Sequence, residues 1–358
     1  MSIFNSSKIL GFFAGAITVS LLVAWLISET LAPAESPDTR LRGFYTASSD
    51  LEVVSLGNSH ASGIHFPSLG MPGYSLFSNG MDIPTSVWKL RLAIPYTPKL
   101  RYVILPLVPS QLSHSSQGSD NNNALYNRLQ NAPWPKVFFS SDLLSNLTIV
   151  RARIHGVAAY ISHANTVFRE RVTDLGYIHL SNRPRDTGFH DCIRRPNHQQ
   201  TADEFGVRHG YKITPMPRKC MKWRSRKSVA GQVNAAKKSL IRNPNTRADN
   251  MQKLAHLVET LKHKNVHLIL VIPPFWSAYF DSPDLQELWH IEEPLLRDLA
   301  ARQSNVTFYD FHDLFADHEM LPKNTVYYDD NHLTLKGAQI LSQEIRHCLN
   351  GDTPCKAQ

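Results

Sequence analysis

The chain has 358 residues, of which 42% are hydrophobic and 19% are charged, and its net charge is +8. This composition is that of an ordinary globular protein and excludes an intrinsically disordered chain. The length allows one large domain or two smaller ones with a sizeable buried core. The excess of positive charge is compatible with an anionic partner such as nucleic acid.

The N-terminal segment predicts a membrane anchor. Residues 9–27 carry no charge and are long enough to cross a hydrocarbon core of ~30 Å as a helix. Lys8 precedes the run and acidic residues follow it, which predicts a cytoplasmic N-terminus. A cleavable signal is the alternative, because Ala32–Ala34 has the small-x-small form. We therefore expect residues 1–30 to be a single-pass anchor in the inner (cytoplasmic) membrane and residues 31–49 a tether to a periplasmic or extracellular domain.

The four cysteines are compatible with an exported protein. The simplest of the three possible pairings gives two local disulfides, Cys192 with Cys220 and Cys348 with Cys355. No Cys-x-x-Cys motif occurs, so neither a zinc ribbon nor a thioredoxin-type site is supported.

Residues Leu51–Gly63 contain the first candidate for chemistry. Leu51–Ser55 is short, apolar and β-branched, which predicts a buried strand. Gly57 ends this strand, and Ser59 follows in a turn before a predicted short helix. Such a turn exposes the serine hydroxyl at the sheet edge and directs free backbone N–H groups toward an anion. The alternative is that Ser59 merely caps the helix.

Further strands and helices alternate along the chain. The predicted elements are the apolar piece Tyr74–Phe77, helix Ser86–Ile94, strand Arg101–Leu107, helix Arg247–Lys264, strand Val266–Ile272, helix Leu285–Arg302, strand Val306–Tyr309 and a final helix Thr334–Leu349. This alternation predicts a three-layer α/β domain with a parallel sheet over residues 50–355. Active sites of such sheets lie beyond the carboxyl ends of the strands.

A long insertion interrupts this domain at about residues 110–243, where the alternation fails. Its later part, Arg183–Arg242, is predicted to be basic and turn-rich, and it holds most of the excess positive charge. Insertions of this length are usually lids or binding loops. A basic surface suits an anionic glycan or lipid headgroups, although a solvated face is the commoner meaning of scattered charge.

Asp329 and His332 form the second candidate for chemistry, at the entrance to the last helix. A turn with this spacing brings the two side chains together. The carboxylate can then hold one ring nitrogen as N–H and leave the other free as a base for a serine. The alternative is a helix-entry cap with a solvated histidine.

Two motifs, Gly57–Ser59 and Asp329–His332, resemble the first and last blocks of the SGNH hydrolase superfamily, the GDSL-type esterases. The resemblance implies a flavodoxin-like fold with Ser59 as nucleophile, His332 as general base and Asp329 as the acid that orients it. The backbone N–H groups of Ser59 and Gly80 would line the oxyanion hole. Neither a cofactor nor a metal is implied.

The chain departs from this family at the third block, which typically presents Gly-x-Asn. Here the strand continues into Val108–Gln111, which has no asparagine. Losing one oxyanion donor can cost ~10²–10³ in rate. Three interpretations are open: Ser110 or Gln111 substitutes for the missing asparagine, the oxyanion hole is smaller, or the activity is low.

The same departure occurs, by resemblance, in membrane-anchored relatives such as the D-alanine transfer protein DltD and the SGNH-like alginate O-acetylation proteins. Residues Asn250–Pro274 resemble that branch as well. The position of Asp310 at the end of a strand resembles the branch of the family that has long inserts. We assign Asp310 a structural role.

The resemblance implies serine-dependent acyl transfer on a cell-surface glycan or exopolysaccharide, as an esterase or an O-acyltransferase. The expected partners are a cell-envelope glycan or an acyl-donor membrane protein. The alternative is a non-catalytic glycan-binding or assembly subunit with the same fold. The predicted exported topology and the lack of a recognised nucleic-acid-binding motif argue against nucleic acid as a partner. A metal site is a further alternative, built from Asp329, Asp330, His332 and His312.

Overall fold

A five-stranded parallel sheet is the centre of the computed structural model. Its strands are β1 (Val53–Ser55), β2 (Gly73–Ser75), β3 (Tyr102–Pro106), β6 (His267–Ile272) and β7 (Val306–Asp310). A separate antiparallel pair consists of β4 (Gln200–Ala202) and β5 (Arg208–Tyr211). The order in the large sheet is β2-β1-β3-β6-β7, which is the flavodoxin-like order.

The structure describes residues 44, 47–77, 80–115, 200–202, 208–211, 218–316 and 326–351, together with residue 15 alone. In β4 and β5 the description is limited to the backbone. Apart from residue 15, these residues belong to one unit formed by Leu41–Ala124 and Arg185–Gln358.

Most of the described α-helices lie between successive strands, and the last one follows β7. The α-helices are α1 (Phe66–Leu69), α2 (Ile83–Ala93), α3 (Arg218–Arg242), α4 (Thr246–Lys262), α5 (Ser277–Phe280), α6 (Pro283–Arg302) and α7 (Leu335–Asn350). Short 3-10 helices lie at Ser48–Asp50, Ser59–Gly63 and Ile94–Tyr96.

The strand order reverses at β1, and this reversal distributes the helices over both faces of the sheet. The chain moves from β1 to β2 in one direction and from β3 to β7 in the other. Right-handed crossovers therefore place the β1–β2 connection and the later connections on opposite faces. The packing agrees, since α7 contacts α1 while α4 contacts α2 and β6. The predicted α/β fold with a parallel sheet is confirmed.

Two elements show how directly the sequence specifies this fold. In β6, the last five of its six residues are buried, as expected for a central parallel strand with a continuous apolar run. Helix α7 begins after Thr334, whose side chain accepts the N–H of Gly337, and ends at Gly351 in the left-handed conformation. These caps are typical helix boundaries, and they fix α7 directly after the Asp329–His332 loop.

The prediction of a turn-rich basic segment is wrong for residues 218–242, which form the 25-residue helix α3. Its buried stripe is narrow and partly polar or small, which weakens the sequence signal for an amphipathic helix. The stripe recurs at intervals of three or four residues and consists of Met221, Ser225, Val229, Val233, Ala236 and Ser239. The basic side chains of the helix all lie outside this stripe.

Two predictions concern residues that the structure does not describe. No helix among the described residues is both long and apolar enough to span a bilayer, and the predicted anchor at 9–27 lies outside them. Cys220 and Cys348 are not free thiols. Because Cys192 and Cys355 also lie outside the described residues, the predicted pairing stays a prediction.

Candidate active site

Gly57 bends the chain sharply between β1 and Ser59. Its φ of +131° lies in the region that side chains avoid. A Cβ at this position would lie 3.3 Å from Leu105 Cδ1 and 3.4 Å from the carbonyl oxygen of Pro106. The added Cβ would be tight against β3, but the positive φ is the main reason that this position favours glycine.

We expect Gly57→Ala to lower the free energy of unfolding by about 1–3 kcal/mol, because alanine is strained at this φ. The matched control is Gly231→Ala in α3, where nothing lies within 4 Å of the added Cβ. Alanine at that helical position should be neutral or stabilising. Urea unfolding followed by circular dichroism measures both variants, and equal stability of Gly57→Ala and the parent would contradict the expected strain.

Asn58, rather than Ser59, caps the short helix Ser59–Gly63. Its Oδ1 accepts the N–H of His60 at 3.0 Å, and its Nδ2 donates to Gln111 Oε1 at 2.9 Å. The alternative that Ser59 serves as the cap is therefore wrong. The Ser59 hydroxyl remains available for another partner.

That partner is His332, which lies 273 positions away in the sequence. Ser59 Oγ is 2.7 Å from His332 Nε2, and His332 Nδ1 is 2.9 Å from Asp329 Oδ1. An ionised carboxylate can only accept, so Nδ1 carries the proton and Nε2 accepts from the serine hydroxyl. The structure thus brings the three predicted residues together in the order serine, histidine, acid.

The loop around Asp329 is built for this contact and not for capping α7. Asp329 Oδ1 also accepts the backbone N–H groups of Asn331 at 3.0 Å and His332 at 2.8 Å. Thr334 caps the helix instead. The His332 side chain is only 19% exposed, so the alternative of a helix-entry cap with a solvated histidine is wrong.

The electrostatics of the loop favour a charged acid beside a basic histidine. Burial alone would raise the pKa of Asp329, but the His332 ring, the Asn331 N–H and Arg224 outweigh it and lower the pKa to about 2. Burial lowers the pKa of His332, whereas Asp329 and Asp330 raise it more, so the net pKa lies above its ordinary value.

His60 is a site residue that the sequence analysis missed. Its ring stacks on His332 with a centroid distance of 4.7 Å and an interplanar angle of 1°, and its edge contacts Phe275. Burial, followed by the His332 charge, lowers the His60 pKa well below its ordinary value. The base therefore packs on a neutral ring. The only sequence signal for this role is that His60 follows Ser59.

Gln111 connects the third block, Val108–Gln111, to the first block, Gly57–Ser59, by a hydrogen bond. Its Nε2 donates to the carbonyl oxygen of Met81 at 3.0 Å, while its Oε1 accepts from Asn58. Ser110 precedes it with a φ of +81°, which makes a sharp bend after β3. The side chain of Gln111 thus positions Asn58, the neighbour of Ser59. The contribution of Ser110 or Gln111 to an oxyanion hole stays a prediction.

Glu292 of α6 holds this bend from the protein interior. Its carboxylate accepts the backbone N–H groups of Leu112 at 3.2 Å and Ser113 at 2.9 Å. Burial raises the Glu292 pKa to about 7, against the opposing effect of these hydrogen bonds and Arg247. Glu292 is a second residue that sequence reasoning missed, since nothing in a helix pattern links position 292 to a bend near 112.

Gly80 lies directly before Met81, whose carbonyl oxygen accepts from Gln111. Its φ of +66° suits glycine. Residues 78 and 79 lie outside the described residues. The assignment of the Ser59 and Gly80 N–H groups to an oxyanion hole stays a prediction.

Asp310 and His312 form a separate pair at the end of β7. Asp310 Oδ1 accepts the backbone N–H of His312 at 3.1 Å and lies 2.8 Å from its Nδ1. The His312 ring stacks on Phe280. His312 is thus engaged with Asp310, and the described ranges contain no group of three or more His, Cys, Asp or Glu side chains placed to hold a metal ion.

Two elements of the predicted insertion flank the site. The backbone of β5 lies against the helix Ser59–Gly63. On the other side, Arg224 of α3 lies 3.8 Å from Asp329 Oδ2 and 3.9 Å from Asp330 Oδ1. The insertion therefore contributes to the surroundings of both the serine and the acid.

Part of the chain matches the model of a known protein family. Residues 221–347 match the family model of the SGNH domain (fused to AT3 domains). The match includes Asp329, His332 and most of α3, and it confirms the predicted resemblance to the SGNH superfamily. No curated protein matches the chain. A solved structure from Streptococcus pneumonia, described as a candidate platelet activating factor, aligns over 94% of this chain and 98% of its own at 12% identity. Its TM-score of 0.37 carries no functional argument.

Proposed function

We propose that the protein is a serine-dependent acyl-transfer enzyme, because residues 221–347 match the family model of the SGNH domain. The observation that carries the proposal is the continuous contact from Ser59 Oγ through His332 to Asp329. A serine hydroxyl is a weak nucleophile at neutral pH and needs such a base beside it.

In the proposed reaction, Ser59 Oγ attacks the ester carbonyl and His332 Nε2 takes its proton. The tetrahedral intermediate collapses when the C–O bond to the leaving alcohol breaks, and His332 returns the proton to that oxygen. The product is an acyl ester on Ser59. An acceptor hydroxyl then loses its proton to His332 and attacks the ester carbonyl. The bond from the acyl carbon to Ser59 Oγ breaks, and His332 returns the proton to Oγ. Water as acceptor makes the protein an esterase, and a sugar hydroxyl makes it an O-acyltransferase.

We propose a cell-surface glycan or exopolysaccharide as the acceptor, with the domain held at the membrane by residues 9–27. The apolar run at those positions supports this placement. The matched family consists of SGNH domains fused to AT3 domains, which supports an acyl-donor membrane protein as partner.

A non-catalytic glycan-binding or assembly subunit is the second candidate function. The observation that favours it is the absence of an asparagine from Val108–Gln111. The assembled Ser59, His332 and Asp329 favour the enzyme.

Trapping the acyl-enzyme tests the choice between these functions. The full chain is exposed briefly to p-nitrophenyl acetate, and its intact mass is compared with that of Ser59→Ala. We expect an acetyl-sized mass gain on the parent and none on the variant. The matched control is Ser68→Ala, a part-buried serine that hydrogen-bonds to His65 instead of His332, and it should be acetylated like the parent. A folded parent without adduct or p-nitrophenol release would overturn the enzyme in favour of the non-catalytic subunit.

A further inference from the structure

One side of the basic helix α3 carries a polar stripe that faces the Asp329–His332 loop. Arg224, Ser228 and Gln232 are spaced by four residues and therefore lie along one side of the helix. Arg224 lies within 4 Å of both Asp329 and Asp330. Gln232 Oε1 accepts a hydrogen bond from the Tyr279 hydroxyl, and Tyr279 lies in the surroundings of Asn331 and Asp330.

A second contact fixes the start of α3 to the same loop. The guanidinium of Arg218 lies 5.6 Å from the ring centroid of Trp276, a cation–π distance. The backbone N–H of Trp276 donates to the carbonyl oxygen of Asp330 at 3.0 Å. Helix α3 thus contacts the loop directly through Arg224, and Trp276 and Tyr279 lie between the loop and other positions of the helix.

The buried side chain of Asp330 is the reason why the Asp329–His332 loop benefits from a neighbouring positive charge. Its side chain is fully buried beside Asp329, and neither of its carboxylate oxygens has a hydrogen bond of normal geometry within the described ranges. Burial, followed by the Asp329 charge, raises the pKa of Asp330 to about 6, against the opposing effects of Ser228 and Arg224. A buried carboxylate without such partners is costly and needs a compensating charge. Arg224 is the one Lys or Arg side chain, within the described part of the chain, that lies within 4 Å of the Asp329 or Asp330 carboxylate.

We propose that α3 is a structural support of the catalytic loop and that Arg224 is its positioning residue, which compensates the adjacent carboxylates of Asp329 and Asp330. This inference rests on the proposed function for the role of His332 as a base. It assigns to the predicted insertion a task inside the active site, distinct from that of a lid or a substrate-binding loop.

The charges around His332 give this role a measurable sign. The groups that face it are Asp329 and Asp330 on its own loop, Arg224 on α3 and His60 on the Ser59–Gly63 helix. The two carboxylates raise the pKa of His332 and Arg224 lowers it. Above the Asp330 pKa of about 6 both carboxylates are charged. In that range, removing the Arg224 charge raises the His332 pKa, and a larger fraction of the base is protonated at neutral pH.

The first test is the pH profile of p-nitrophenyl acetate hydrolysis by the full chain, from about pH 5.5 to 9.5. We expect Arg224→Met to move the acid limb of kcat/KM to higher pH, with a several-fold loss near pH 6.5 that disappears at alkaline pH. Arg224→Lys should restore most of the profile. The matched control is Arg226→Met, which removes the same charge from an exposed position on α3 and should follow the parent. A uniform loss at all pH values, or an equal shift in Arg226→Met, would overturn the proposal.

The second test does not depend on turnover. Histidines labelled with ¹³C at Cε1 are titrated by NMR in the parent and in Arg224→Met, and the His332 signal is assigned by its loss in His332→Gln. We expect the His332 pKa to rise in Arg224→Met. An unchanged pKa would overturn the role of Arg224 even if the enzyme is active. A raised pKa in a protein without esterase activity would uphold the role of Arg224 and reject the proposed function.

Discussion

Replacing Ser59 with alanine is expected to lower kcat for p-nitrophenyl acetate by at least about 10⁴-fold, because Ser59 is the group that forms the acyl ester in the proposed reaction. His332→Ala should cause a loss of similar size, since the hydroxyl 2.7 Å from its Nε2 then lacks a base. The double variant should be no slower than either single variant, because the two residues act as one unit. Stopped assays at matched protein concentration measure all three rates.

The three variants must also fold. Thermal unfolding monitored by circular dichroism should give the parent and Ser59→Ala similar midpoints, because only one hydroxyl is removed. If the losses of the two single variants instead multiply in the double variant, Ser59 and His332 act independently and the proposed mechanism fails.

Asp329→Asn is expected to lower kcat by about 10³–10⁴-fold while changing the geometry little. The carboxylate accepts a hydrogen bond from His332 Nδ1–H at 2.9 Å, and it also accepts hydrogen bonds from two backbone N–H groups. Asparagine lacks the charge that stabilises the imidazolium, and its amide nitrogen can favour the wrong tautomer. The pH dependence of kcat/KM and the unfolding midpoint are measured together.

The matched control for this variant is Asp310→Asn. Asp310 also pairs with a histidine, at 2.8 Å from His312 Nδ1, but that histidine contacts no serine nucleophile among the described residues. We expect its activity to remain within a few-fold of the parent. Equal losses in both variants would show that pairing to Asp329 has no special role in catalysis.

The sequence was sufficient to predict the sheet, and the resemblance to the SGNH superfamily implied the contact of Ser59 with His332 at its edge. Strands such as β6 are marked by unbroken apolar runs, because both faces of a parallel sheet are covered. The Asp329 to His332 spacing falls within one turn, so local geometry alone brings the two side chains together. Ser59 could be assigned to the same edge because its strand and turn were recognisable.

What could not be predicted depends on contacts between distant positions. The hydrogen bond from Asn58 to Gln111 joins residues 53 positions apart, and no periodic pattern encodes it. Glu292 is in a similar position, since a helical acid predicts exposure, whereas this one is buried against two backbone N–H groups. Helix α3 was missed because its buried stripe includes serine and alanine, which have little hydrophobic signal.

The 273 positions between Ser59 and His332 have a consequence for biosynthesis. The nucleophile leaves the ribosome near the start of the domain, whereas its base follows the last strand of the sheet. A nascent or truncated chain that stops between them carries a serine with no means of activation. If the proposed mechanism holds, such a chain has no turnover, and turnover itself reports that the final helix has docked.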